Sequence, residues 1–136
     1  MIDLPFDRAR LETWTYTALR FVAGFMFFWH GAQKILGVLS TKAPPEVFSQ
    51  MWIGGVIELV GGALIALGML TRPAAFICAG QMAVAYIQFH WKGALDASFL
   101  PIVNKGESAV LYCFIFLVFA VRGAGPISID RQLGRA

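Results

Sequence analysis

Residues 51–70, MWIGGVIELVGGALIALGML, form one long apolar stretch, and three more lie at 15–39, 73–91 and 107–121. Each approaches or exceeds the roughly 20 residues that a helix needs to cross the hydrocarbon core of a bilayer. A single stretch of this kind could be the buried core helix of a soluble protein. Four of them in 136 residues leave too little polar sequence to shield them all. The sequence therefore predicts an integral membrane protein with an all-α fold, a bundle of four transmembrane helices.

The overall composition supports the same class. The chain is 58% hydrophobic and 14% charged, with a mean hydropathy of +0.68, far from the balance of a soluble domain. One four-helix bundle uses up the sequence, so we expect a single domain over residues 1–136. The net charge of +3 is small, and the basic residues are scattered among the connectors. A nucleic-acid partner is therefore not expected, and membrane lipids are.

The distribution of the basic residues predicts an orientation. An even number of spans places the N-terminus, the turn between the second and third helices and the C-terminal tail on one side. Seven arginines fall on that side and four lysines on the other, namely Arg8, Arg10, Arg20, Arg72, Arg122, Arg131 and Arg135 against Lys34, Lys42, Lys92 and Lys105. Because basic residues are enriched on the cytoplasmic side, both termini are expected in the cytoplasm.

Local signals suggest how the helices begin. Thr71 is placed as an N-cap, with Pro73 near the first helical position. Asn104, followed three residues later by Glu107, resembles a capping box that opens the last helix. The apolar piece 99–103 and the Gly-rich tail after Arg122 are expected at the membrane surface. Small residues, above all Gly54, Gly61 and Gly68 with Gly55 and Gly62 beside them, predict close packing of helix backbones.

Polar side chains of all four helices converge on the outer leaflet in this topology. His30 and Lys34 lie one turn apart on the first helix, and Lys34 and Glu58 fall at similar depths. His90 and Gln88 end the third helix, and Glu107 begins the fourth. An ionised carboxylate in hydrocarbon must be protonated, paired or in contact with water. We therefore predict a Lys34–Glu58 pair, with His30 nearby, lining an outer-leaflet cavity.

Simpler roles exist for most of these residues. Lys34 could extend to the interface along its flexible stem, Glu107 could only stabilise a helix N-terminus, and His90 beside Trp91 could mark the membrane boundary. Gln81 and Gln88 could serve only as interhelical hydrogen-bonding groups. Both point almost opposite His90 on a regular helix, so the three are not expected in one cavity. Arg20 is expected to reach the lipid headgroups.

A quinone headgroup suits such a cavity better than a metal does. It needs a few hydrogen-bonding groups beneath an aromatic wall, to which Phe27, Phe28 and Trp29 could contribute, and a carboxylate or histidine to exchange protons. The candidate metal ligands come from separate helices without HxxxH or ExxH spacing, so no metal site is predicted, and haem is disfavoured. Cys78 and Cys113 fit small apolar packing roles, with a transmembrane dithiol as the alternative.

Three segments carry a recognisable combination of motifs: LRFVAGFMFFWHGAQKILG at 19–37, IELVGGALIALGMLTRPAA at 57–75 and NKGESAVLYCFIFLVFAVRGAGPISIDRQL at 104–133. In these segments the chain resembles the DoxX family of small four-helix membrane proteins. The matching motif positions are Arg20, Gly24, His30, Gly31 and Lys34 in the first helix, Glu58, Gly61, Gly62, Thr71, Arg72 and Ala74 in and after the second, Gly106, Glu107, Ala109, Leu111 and Tyr112 at the last, and Gly125 to Asp130 in the tail. The resemblance adds Tyr112 to Arg20 and Gln88 as secondary site candidates.

The resemblance implies a redox setting in the inner or plasma membrane of a bacterial or archaeal cell. The family takes its name from a small subunit of an archaeal terminal quinol oxidase, and relatives are linked to thiosulfate:quinone oxidoreduction. The first hypothesis is thus a quinone-associated, auxiliary subunit of a membrane oxidoreductase. The alternative is a purely structural subunit of a larger respiratory or photosynthetic complex, or a homo-oligomer. A small-molecule carrier is disfavoured, because the helices show no inverted repeat or broken span.

Overall fold

A computed structural model describes residues 7–135 of the chain, and within them the fold is entirely helical. The elements are α1 (Arg8–Leu36), α2 (Gln50–Leu67), α3 (Thr71–Ala85), a π-helical extension of α3 (Tyr86–Trp91), a 3₁₀ turn (Ala97–Phe99), α4 (Pro101–Asn104), α5 (Glu107–Arg122) and α6 (Ile129–Gln132). The prediction of an all-α fold is confirmed for this part of the chain.

Helix α1 begins earlier and ends earlier than the apolar stretch 15–39 suggested. The Asp7 side chain caps it by accepting a hydrogen bond from the Ala9 amide at 3.0 Å. It ends at Leu36 because Gly37 takes a left-handed conformation with φ of 66°. Hydropathy located the apolar part of the helix, whereas capping residues set its ends.

Helix α2 is bounded in the same way. The Ser49 hydroxyl accepts a hydrogen bond from the Trp52 amide at 3.2 Å, and Gly68, with φ of 68°, ends the helix at Leu67. The prediction that Thr71 caps α3 is wrong, because Thr71 is itself the first helical residue. The capping oxygens belong instead to Asp130, which accepts from the Leu70 and Thr71 amides at 2.8 and 3.0 Å.

The start of α5 also differs from the expectation of a capping box. The Asn104 side chain accepts a hydrogen bond from the Gly106 amide at 2.8 Å, and Gly106 is the N-cap of α5. Lys105 lies between them in a left-handed conformation with φ of 60°. Asn104 is therefore the last residue of α4 and closes a turn, instead of capping the next helix.

The four long helices pack as two close pairs, α1 with α2 and α3 with α5, and α2 contacts α3 between the pairs. Glycines permit the α1–α2 contact: a Cβ atom on Gly31 would lie 2.2 Å from the Leu59 amide nitrogen, and one on Gly62 2.4 Å from the Phe28 nitrogen. The centre of the core consists of the fully buried residues Phe27, Ile65, Cys78, Phe116 and Phe119.

Within residues 7–135, one helix, α2, is long and apolar enough to cross a membrane by its length and composition alone. Helices α3 and α5 have 15 and 16 residues, fewer than the about 20 that a span requires. Helix α1 has 29 residues, but Arg20, His30 and Lys34 interrupt its apolar sequence. The arrangement of four spans with cytoplasmic termini stays a prediction.

Candidate functional site

A cavity of about 760 Å³ lies between α1, α2, α3 and the start of α5. The connector between α1 and α2 covers part of it through Ser40, Lys42, Ala43 and Pro45. Its polar lining includes His30, Gln33, Lys34, Glu58, Gln81, His90 and Tyr112, and its apolar lining includes Phe27, Ile53, Ile57, Ile77, Val84 and Phe89. Four of the five main site candidates and the secondary candidate Tyr112 thus lie at one cavity.

The predicted pair between Lys34 and Glu58 is present. The Lys34 ammonium donates to Glu58 Oε1 at 2.6 Å and joins α1 to α2. The Glu58 side chain is 3% exposed and the Lys34 side chain 32% exposed. Lys34 therefore supplies a countercharge to a carboxylate that water hardly reaches, while its own ammonium keeps partial contact with solvent.

Gln81 of α3 completes this cluster. Its amide nitrogen donates to the same oxygen, Glu58 Oε1, at 3.0 Å. Gly54 leaves room for this contact, because a Cβ atom at Gly54 would lie 3.1 Å from the Gln81 amide nitrogen. Gln81 was expected to form an interhelical hydrogen bond but was not among the site candidates. Its position in the chain could have identified it, because in an antiparallel helix pair that position places Gln81 at the same depth as Glu58 on α2.

Three buried polar atoms around the cavity have no hydrogen-bond partner among the described residues: Glu58 Oε2, Gln81 Oε1 and the Tyr112 hydroxyl oxygen. The Gln81 amide has its nitrogen toward the Glu58 carboxylate, the orientation in which it can donate to that carboxylate. A buried acceptor without a partner costs about 1–3 kcal/mol. Such atoms, on side chains that line a cavity, are the groups that a bound molecule would satisfy.

Aromatic rings form one side of the site. The Tyr112 ring lies 5.3 Å from that of Phe27 and 5.4 Å from that of Phe116, between centroids, and the His30 ring meets it edge-on at 6.4 Å. Of the wall predicted from Phe27, Phe28 and Trp29, only Phe27 lines the cavity. Three consecutive helical residues point in different directions, so they cannot all face one cavity.

The π-helical segment changes which residues of the third helix face the cavity. Its wider turn is marked by the hydrogen bond from the Lys92 amide to the Ile87 carbonyl at 2.9 Å. Gln81 and His90, nearly opposite on a regular helix, both line the cavity here. His90 Nδ1 lies 3.2 Å from the Asn104 carbonyl oxygen. Gln88 does not line the cavity. Its side-chain carbonyl oxygen accepts a hydrogen bond from the Gln50 amide instead.

Glu107 and Arg20 do not join the cavity. Glu107 is exposed in the first turn of α5, the position that the helix dipole favours for an acid. Arg20 lies at the other end of α1 and is 3% exposed, so the expectation that it reaches the headgroups is wrong. Its guanidinium instead donates to the backbone carbonyls of Ala66, Ala124 and Ile127.

Arg20 and Asp130 together hold the tail against the ends of α2 and α3. The sequence had placed this tail at the membrane interface, yet Ser128 and Asp130 are buried. Burial raises the pKa of Asp130, but the hydrogen bonds from the Thr71 and Leu70 amides, with a contribution from the Arg135 charge, leave that pKa below its ordinary value. The carboxylate is therefore held in its charged form as a helix cap.

Neither cysteine lies in a cluster with other metal-ligating side chains. Across residues 7–135, no group of three or more His, Cys, Asp or Glu side chains is arranged to hold a metal ion. Cys78 is fully buried with its Sγ 3.9 Å from the Ile57 carbonyl oxygen, and Cys113 is half-buried. Both thiols are free, and their environment is that of small apolar packing groups.

Comparisons with known proteins place the chain in a family. A family model described as DoxX matches residues 15–91. An uncharacterized protein of Haemophilus influenzae is 42% identical over 117 residues, which cover 84% of this chain and 87% of the relative. An uncharacterized membrane protein of Mycobacterium tuberculosis is 27% identical over 134 residues, covering 86% and 80% of the two chains. No solved structure gives a significant match. The resemblance read from the motifs is confirmed, and the chain belongs to the DoxX family.

Proposed function

We propose that this protein is an integral membrane subunit of a quinone-linked redox complex and that its cavity binds the quinone headgroup. In this proposal the spans are α1, α2, the continuous helix 71–91 and α5, with both termini in the cytoplasm. The cavity then opens in the outer leaflet. The protein's role is auxiliary: it holds or delivers the quinone, and electron transfer belongs to its partner.

The surface of the helices supports membrane insertion. Large apolar side chains are exposed on every long helix, for example Phe21, Val60, Phe76, Phe114 and Val121. Soluble monomers rarely expose contiguous apolar surface of this extent. A relative is described as a membrane protein. The helix 71–91, counted with its π-helical extension, also reaches the length of a span.

The observation that supports a quinone most directly is the two-part character of the cavity. Its polar lining includes the charged and amide groups of Lys34, Glu58 and Gln81. Its apolar lining includes Ile53 of α2 and Ile77 of α3, each about half exposed on the surface that would face lipid. A molecule with a polar head and a long apolar tail fits this arrangement, because the tail can leave between α2 and α3.

The test is the quinone content of the purified protein. A tagged chain would be extracted in mild detergent, and its bound lipids separated and analysed for quinone. With anaerobic extraction, and with quinol and dione counted together, we expect near-stoichiometric quinone in the wild type and its loss in Glu58→Gln. The matched control is Glu12→Gln, which removes a carboxylate paired with Arg8 on the surface, at 3.0 Å. Absence of quinone from the wild type, or equal amounts in wild type and Glu58→Gln, would overturn the proposal.

The exposed aromatic residues of α1 favour the structural alternative as a second candidate. Phe21, Phe25 and Trp29 form a continuous outward ladder, with ring centroids 5.8 and 6.1 Å apart. Such a ladder could pack against a larger membrane protein. Native electrophoresis with mass spectrometry of each component addresses this. Co-migration with redox subunits but no bound quinone would leave the purely structural role, and migration alone as a small oligomer with bound quinone would exclude it.

A further inference from the structure

We infer that the cavity prefers a ligand that donates hydrogen bonds, namely the dihydroxy (quinol) form of the headgroup over the dione. This inference rests on the proposed function and adds the redox form to it. It starts from the atoms that have no partner, Glu58 Oε2 and Gln81 Oε1, both buried on side chains that line the cavity. Each of these atoms is an acceptor, so each requires a donor.

No donor among the described residues reaches either acceptor. Both donors that reach Glu58, from Lys34 and Gln81, go to Oε1. A carboxylate in an ion pair accepts at both oxygens and donates at neither. The Gln81 amide gives one of its two N–H groups to Glu58, whereas its carbonyl oxygen has no donor. The cavity therefore presents two acceptors without a donor, Glu58 Oε2 and Gln81 Oε1, next to N–H groups of Lys34 and Gln81 that can still donate.

The two forms of a quinone headgroup differ in the property that matters here. A dione offers two carbonyl oxygens, which only accept, so Glu58 Oε2 and Gln81 Oε1 stay unpaired when it binds. The dihydroxy form of the headgroup has nearly the same size and shape as the dione, but it offers two O–H donors. A site whose buried polar groups are satisfied by one ligand and left unpaired by a near-isostere discriminates strongly between them. The Tyr112 hydroxyl and the remaining N–H groups of Lys34 and Gln81 can donate to an oxygen of either form, so these donors do not discriminate.

The test compares three probes that share a ring: decylubiquinol, decylubiquinone and the dimethyl ether of decylubiquinol. Binding to the full chain in nanodiscs would be measured anaerobically by calorimetry. We expect the quinol to bind about tenfold or more tightly than the dione, the ratio that corresponds to about 1.4 kcal/mol. The ether, reduced but without a donor, should bind like the dione. This third probe separates hydrogen-bond donation from redox state.

Variants assign the preference to the two acceptors. Gln81→Met keeps the side-chain length but removes the acceptor together with the donor to Glu58 Oε1, an oxygen that Lys34 still satisfies. It should reduce the quinol-to-dione ratio while dione binding persists. Tyr112→Phe should weaken all three probes and leave the ratio unchanged. Persisting dione binding also reports that each variant is folded. Equal binding of quinol and dione by the wild type, or an unchanged ratio in Gln81→Met, would overturn the inference and leave the proposed function intact. Failure of all three probes to bind would refute the proposed function itself.

Discussion

Removing Lys34 and removing Glu58 should have unequal effects on stability, although the two side chains form one ion pair. In Lys34→Met the Glu58 carboxylate, 3% exposed, loses the ammonium that lies 2.6 Å away. Breaking a buried pair by deleting one partner costs about 3–5 kcal/mol. Because Lys34 is 32% exposed, water already screens the pair in part, and we expect the lower end of that range, about 3 kcal/mol.

The reverse substitution, Glu58→Gln, should cost less. It preserves the shape of the side chain, and its amide oxygen can still accept from Gln81. The ammonium of Lys34 is partly exposed and can turn toward water along its flexible stem. We therefore expect a loss of about 1 kcal/mol, that of one hydrogen bond. The double variant Lys34→Met/Glu58→Gln has no buried charge left to compensate, so it should be more stable than Lys34→Met alone.

The measurement is reversible unfolding in mixed micelles, followed by circular dichroism during a titration with a denaturing detergent. Glu12→Gln serves as the control for loss of a carboxylate, and it should unfold like the wild type, because its pair with Arg8 is exposed. The reasoning is refuted if Glu58→Gln is as unstable as Lys34→Met. It is also refuted if the double variant is no more stable than Lys34→Met, because the cost would then not come from an unpaired carboxylate.

Other regions of the fold give three more predictions. Gly31→Ala would place a methyl group 2.2 Å from the Leu59 nitrogen and should lower the free energy of unfolding by about 1–3 kcal/mol or more. Gly80→Ala is its control: a Cβ atom there has nothing within 4 Å, so the variant should stabilise α3 by about 0.5–1 kcal/mol. Similar thermal unfolding of these two variants would contradict the packing of α1 on α2. Asp130→Asn should cost about 1 kcal/mol at neutral pH. Since the pKa of Asp130 is depressed in the folded state, its contribution is present above the ordinary value of about 4 and is lost as the pH falls further. A difference between wild type and Asp130→Asn that persisted in strong acid would argue against this. Arg20→Met should release the tail, seen as faster tryptic cleavage there; an unchanged rate would show that other contacts hold it.

The existence and the order of the long helices could be predicted from the sequence, because apolar periodicity and length are properties of each segment alone. The Lys34–Glu58 pair could be predicted for a related reason: the depth of a residue in an antiparallel helix pair follows from its position in the chain. The ends of α1 and α2 could not be read from hydropathy. They follow from Gly37 and Gly68, whose left-handed conformations end the helices.

The errors at the two ends of the molecule have a different origin, since they depend on contacts between distant parts of the chain. Arg20 lies next to carbonyls of Ala124 and Ile127, which no local pattern connects to it. In the same way Asp130 caps a helix that begins about 60 residues earlier. The π-helical turn that brings His90 to the side of Gln81 also has no signature in single residues, because packing determines it.

The separation of the two polar clusters bears on what the protein can do. Arg20 and Lys34 lie on one helix, about 21 Å apart at about 1.5 Å per residue. Between their levels, the buried side chains of the described residues are apolar, with Phe27 and Ala23 on α1, Ile65 on α2 and Phe116 on α5. The backbones of α1 and α2 meet at Gly24 and Gly31, too closely for a water-filled path. Among the described residues, no continuous set of buried polar side chains joins the cavity to the Arg20 end. The two polar clusters therefore act separately: Lys34 and Glu58 join α1 to α2 at the cavity, whereas Arg20 and Asp130 hold the tail at the other end.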